Sequence, residues 1–167
     1  MAVDIYIMLC LYNITSCHIN SGGAVMSPIQ KRAWLNIWSM CPVYCLYFMV
    51  QFLAPGLLPT MMARIGFLAI VAGFHAVTYV SGLLVFKRQE KGESLLEDER
   101  DRGIDARATR VAYFVMLAGM ILVGVVMPFG DSGWKIVNAA LFFIVLTEGL
   151  RSALILMGYR GATRIAH

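Results

Sequence analysis

Charge is what this chain has least of. Only 14% of its 167 residues are Asp, Glu, Lys or Arg, while 59% are apolar; a soluble domain carries about a quarter charged residues. Such a shortage excludes an ordinary water-facing surface. A hydrocarbon slab of about 30 Å takes roughly 20 apolar residues per helical crossing, so the length suits four crossings with short connections and leaves no room for a large soluble domain. Metal and disulfide chemistry are missing as well. Cys10, Cys17, Cys41 and Cys45 all lie in or beside apolar stretches and form no CxxC pair, which excludes zinc spacing and a secreted disulfide framework. Cys41 and Cys45, at i,i+4, read as buried free thiols. No second histidine falls in a crossing to make His75 a haem ligand, so no cofactor is expected. No nucleophile constellation or phosphate loop is present, which ranks an enzyme behind other classes.

The formal net charge of +4 does not mark a nucleic-acid-binding surface. Fourteen of the 24 charges fall between Lys87 and Arg110, seven of each sign; that stretch is locally neutral, whereas a phosphate-binding face gathers cations without acids. What the chain has in abundance is apolar runs. The first crossing spans about 33–54 and is imperfect at Pro42 and Gln51. The second spans about 61–86 and stops against Lys87 and Arg88. Between them, Pro55-Gly56-Leu57-Leu58-Pro59-Thr60 reads as a tight hairpin, because its prolines and glycine interrupt helix geometry. The third (about 111–129) and fourth (about 136–159) are joined by the turn Gly130 to Lys135. The expected fold is all-α: an integral membrane bundle of four transmembrane helices with a charged helical cytoplasmic loop between helices 2 and 3. Small-xxx-small pairs, Ala69/Gly73, Ala72/Ala76 and Gly149/Ala153, suit close helix contact.

Residues 26–167 read as one domain, and residues 1–25 do not fit it. Met1 to Tyr12 is apolar but too short to span, and no basic segment precedes it as a signal peptide requires. It reads either as a re-entrant or surface-lying segment or, the favoured alternative, as an early start with Met26 the true first residue.

The charged middle carries a pattern. Asp98-Glu99-Arg100-Asp101, Ile104, Arg107, Arg110 and Ala112-Tyr113 resemble the D-E-R-D-x-x-I-x-x-R-x-x-R-x-A-Y signature of a family of small bacterial four-helix membrane proteins of unknown function. The resemblance covers roughly residue 26 to the C-terminus. It implies the same four-helix arrangement and brings no reaction or ligand with it. Read physically, the stretch is a helix running from the cytoplasm into the third crossing. Asp98, Asp101 and Asp105 share a face at i, i+3, i+7; a divalent cation would accept such oxygens, but a solvated face paired with neighbouring arginines is the commoner arrangement. Arg107 and Arg110 are placed to meet lipid phosphates.

Three residues are out of place in lipid. Glu148 lies about 18 Å into the fourth crossing at 1.5 Å per residue, Arg151 follows on the same face, and His75 falls at a similar depth in the second crossing. Ionisable groups at such depth face the protein interior with a partner. The i,i+3 spacing would let Glu148 and Arg151 neutralise each other in part. The three residues read as a polar clamp fixing helix packing or, as the competing class, as the relay of a small transporter or channel. The favoured function is a non-enzymatic inner-membrane component that meets the lipid bilayer and either binds a partner, a second copy or another membrane protein, or supports the cell envelope.

Orientation follows from cations in the connecting segments, which stay cytoplasmic during insertion. Lys31, Arg32, the seven of the middle stretch, Arg160 and Arg164 make eleven on one side against Lys135 on the other. Both termini and the middle loop are therefore expected in the cytoplasm. Thiol labelling of Ser94→Cys should require a membrane-permeant reagent in intact cells, while Ser132→Cys should react with an impermeant one; the reverse pattern would overturn the charge argument.

Overall fold

The computed structural model describes residues 27–89 and 99–163, with the side chains of 55, 89 and 160–163 left aside. The expectations for residues 1–25, Asp98 and Arg164 lie outside the described residues. The described chain is all-α. It contains four helices of membrane length: α1 (Pro28–Leu53), α2 (Met61–Gln89), α3 (Glu99–Ile121, extended by irregular turns to Phe129) and α4 (Gly133–Thr163). Their candidate spans run from 26 to 31 residues with mean hydropathy from 1.3 to 2.3. At 1.5 Å per residue each exceeds the hydrocarbon thickness of about 30 Å, and the chain is a multi-pass membrane protein. It divides into two compact units at Leu95/Leu96, each a helical hairpin.

In the first hairpin, α1 starts several residues before the apolar run. The Ser27 side chain accepts from the Gln30 N–H at 3.3 Å, and Pro28 occupies the first turn, where its missing N–H costs nothing. The helix continues through Pro42 to Leu53. The Pro/Gly segment forms the tight turn that its composition predicts, a 3₁₀ turn at Pro55–Leu57 closed by the Leu57 N–H on the Ala54 carbonyl at 3.0 Å. Thr60 Oγ1 then caps α2 by accepting from the Ala63 N–H. Arg64, which falls inside the second apolar run, donates from Nε to the Leu58 carbonyl at 2.9 Å and so ties the turn to α2. Antiparallel packing places Leu35 against Phe86 with Trp34, Tyr79 and Leu83 around them, and stacks Tyr47 on Phe67 with ring centroids 5.6 Å apart.

In the second hairpin, α3 is continuous from the charged stretch into the third span, as the sequence predicts. Its far end departs from a regular helix. Leu122–Val126 is a π turn, and Met127–Phe129 tightens to 3₁₀. Pro128 explains the disturbance: it has no N–H to donate, and its ring clashes with the carbonyl four residues back, so the ladder takes in an extra residue before the turn. Asp131 N–H returns to the Met127 carbonyl at 2.9 Å, and Ser132 accepts the first N–H groups of α4.

Of the small-residue pairs expected from spacing, Ala69/Gly73 does not bring the helices together. Gly73 faces open space and Ala69 is exposed, while Gly82 receives the Leu35 side chain and Gly119 receives the Phe143 ring. Cys41 is half-buried and Cys45 exposed, so the expectation of two buried thiols fails for Cys45. The Phe143 ring leaves no room for a Cβ at position 119, so Gly119→Ala should lower thermal stability in detergent by about 1–3 kcal/mol. Gly73→Ala, with nothing near its Cβ, should leave stability unchanged or raise it. Equal effects of the two substitutions would reject this account of the close approach.

Candidate functional site: a polar seam between the third and fourth helices

The packed face of α3 is built from the charged signature. Asp101, Ala108 and Ala112 are buried, and Ile104 reaches Gly158, its Cγ2 2.8 Å from where a Cβ would stand. With Asp105, these residues recur at i, i+3, i+4, i+7 and i+11, which is one face of a helix. Alanines at 108 and 112 let the backbones approach, and the flanking polar groups are then forced to find partners on α4.

They do so in two places. Tyr159 Oη donates to Asp101 Oδ1 at 2.6 Å. Arg151 donates from Nη2 to Asp105 Oδ1 at 2.9 Å and from Nε to Thr109 Oγ1 at 3.1 Å. The two acids of the expected solvated face are therefore directed at α4, and Asp101 is 9% exposed. The Glu99, Arg100, Arg107 and Arg110 side chains remain exposed on other sides of α3. Signature residues are thus divided: Asp101 and Ile104 hold the hairpin, and the arginines face outward.

Helix register places Arg151 more closely than sequence depth did. Ile104 lies opposite Gly158, so Arg151, seven residues before Gly158, is level with Val111, seven after Ile104. Asp105 is then six residues nearer the charged end, about 9 Å along the axis. The guanidinium and the carboxylate bridge that interval between them, as long cationic side chains do when they reach from an apolar segment toward a polar layer. The spacing within α4 suggested Glu148 as Arg151's neutralising partner. Arg151 is held by Asp105 and Thr109 of α3, and its charge is drawn away from the middle of the helix.

Glu148 shares α4 with Arg151 and is half-buried. His75 stands in the other hairpin, edge-on to Tyr44 with centroids 5.5 Å apart and tilted against Tyr79 at 6.2 Å. Its Nε2 is buried and has no hydrogen-bond partner among the described residues. Thr109 and Tyr159, the neutral partners in the seam, were not singled out by sequence, where Tyr159 reads as an interfacial anchor. The signal that would have found them is the short turn from Gly130, which fixes which α3 residues oppose which α4 residues. No family model, curated protein or solved structure matches this chain.

A double-mutant cycle on Asp105→Asn and Arg151→Gln should show coupling of about 1 kcal/mol or more in detergent stability. Arg151→Lys should recover only part of the single-mutant loss, because an ammonium cannot reproduce the two-pronged contact to Asp105 and Thr109. Additivity within about 0.5 kcal/mol would remove the seam as a stabilising element.

Proposed function

We propose that this chain is a non-enzymatic inner-membrane component of bacterial type, with both termini cytoplasmic, that acts by binding a protein partner in the plane of the membrane. One observation carries the reading: Arg151, the deepest cation of the second hairpin, is committed to Asp105 and Thr109 inside that hairpin. A group that carries a substrate or proton must exchange partners during its cycle, whereas one held from two donors at hydrogen-bond distance serves packing. Asp101 and Ile104 of the signature then serve the packing of α3 on α4, which accounts for Asp101 without any ligand. Large apolar side chains such as Phe114 and Leu117 on α3 are exposed, facing lipid or another membrane protein.

A second reading, a small transporter or channel using His75, Glu148 and Arg151, is favoured by the unpartnered His75 Nε2, because a buried ring nitrogen without a partner is costly. Reconstituted vesicles separate the two. The packing reading expects proton and monovalent-cation leakage equal to that of protein-free vesicles, and photo-crosslinkers at Phe114 and Leu117 that trap a discrete protein adduct in cells. Flux above background that Glu148→Gln or His75→Gln abolishes would establish the transporter reading instead. Adducts with lipid alone would reject the partner.

A further inference from the structure

The described part of the first hairpin, residues 27–89, has a charge imbalance. It contains five cations, Lys31, Arg32, Arg64, Lys87 and Arg88, and no Asp or Glu, with Glu90 and Glu93 following it in the sequence. Antiparallel packing gathers four of the five at one end. Leu35 lies against Gly82, with Cδ1 2.5 Å from where a Cβ would stand, and shares a cluster with Phe86. Lys31 is one turn before Leu35, and Lys87 directly follows Phe86, so Lys31, Arg32, Lys87 and Arg88 top the same end of the α1–α2 pair. Arg32, Lys87 and Arg88 are exposed and Lys31 is half-buried. Arg64 lies at the opposite end, with Nε already donated to the Leu58 carbonyl.

Nothing within the described residues balances this group. No carboxylate among them pairs with any of the four cations. The last turn of α2 suits its two cations, since a helix C-terminus is electronegative, but the first turn of α1 carries cations and no acid, against its own dipole. Four cations concentrated in that way call for an external anion.

The position of the group identifies the anion. Each cation lies within about a turn of a membrane-length apolar helix, which puts the group in the headgroup layer and not out in bulk water. Trp34, packed on the Leu35–Phe86 cluster just below, is the residue type that settles at that boundary. Phosphate is the anion of that layer, and a lipid that bears net negative charge supplies it beside acyl chains that match the apolar walls of the hairpin. We propose that the basic end of the α1–α2 hairpin binds the phosphate headgroup of an anionic phospholipid, held by Lys31, Arg32, Lys87 and Arg88.

The test titrates the full chain in neutral detergent micelles with phosphatidylglycerol or with phosphatidylcholine of the same acyl chains, reading the melting temperature. Phosphatidylglycerol should raise it and phosphatidylcholine should not. Each basic residue near a charged leaflet is worth about fivefold in affinity; K87Q/R88Q should therefore need roughly 25-fold more phosphatidylglycerol for half the effect, while K135Q behaves as the wild type. Equal stabilisation by phosphatidylcholine, an unchanged titration for K87Q/R88Q, or the same effect from soluble glycerol phosphate would overturn the proposal. Should K87Q/R88Q fail to fold, the wild type decides: its response to phosphatidylglycerol should fade as sodium chloride is raised to about 1 M, where screening is short-ranged, and a salt-independent response would overturn it.

Discussion

Hydrocarbon offers no hydrogen-bond partner to a backbone amide, so every N–H and C=O in a span must be satisfied within the protein. The described chain obeys this by being helical wherever it is apolar, and its irregular features follow from the same demand. Thr78 is 1% exposed and donates to the Phe74 carbonyl one turn back; Ser39, fully buried, donates to the Asn36 carbonyl. At Pro128, where a donor is missing, the helix widens and then tightens before it leaves the membrane. The Pro/Gly turn between α1 and α2 interrupts the helix at the end of the span, closed by a backbone bond, by the Thr60 hydroxyl as acceptor and by Arg64 as donor.

Side-chain charge meets the same constraint with a different solution in each hairpin. In the second, acids and cations coexist, and folding sorts them: Asp101 and Asp105 turn inward to Tyr159 and Arg151, while Arg107 and Arg110 stay outside. Residues 99–110 thereby present Arg100, Arg102, Arg107 and Arg110 on their exterior, beside Glu99. Among the described residues of the first hairpin there are no acids to sort, so cations are kept at the ends, and the interior holds aromatic rings and His75 between Tyr44 and Tyr79.

The number of helices, their approximate limits, the two hairpin turns and the continuity of the charged stretch with the third span were legible because each depends on local properties. Apolar run length and the placement of Pro and Gly are read one segment at a time. The seam was only half legible. Asp101, Ile104 and Arg151 stand out by type or pattern, but Thr109 and Tyr159 do not. Arg151 was given a neighbour on its own helix because i,i+3 spacing is visible in a sequence and helix register is not.

The sequence by itself determined that this protein crosses the membrane in helices, since burying twenty-odd apolar residues per segment in lipid outweighs any alternative arrangement of a chain with so few charges. Which groups meet was decided only by tertiary structure. Bringing Asp105 to Arg151, and using Gly82 and Gly119 rather than Gly73 for close approach, depends on the rotation and axial offset of two packed helices. Those quantities are set by how side chains such as Leu35, Ile104 and Phe143 interlock across the hairpins, and no periodicity within a single helix encodes them.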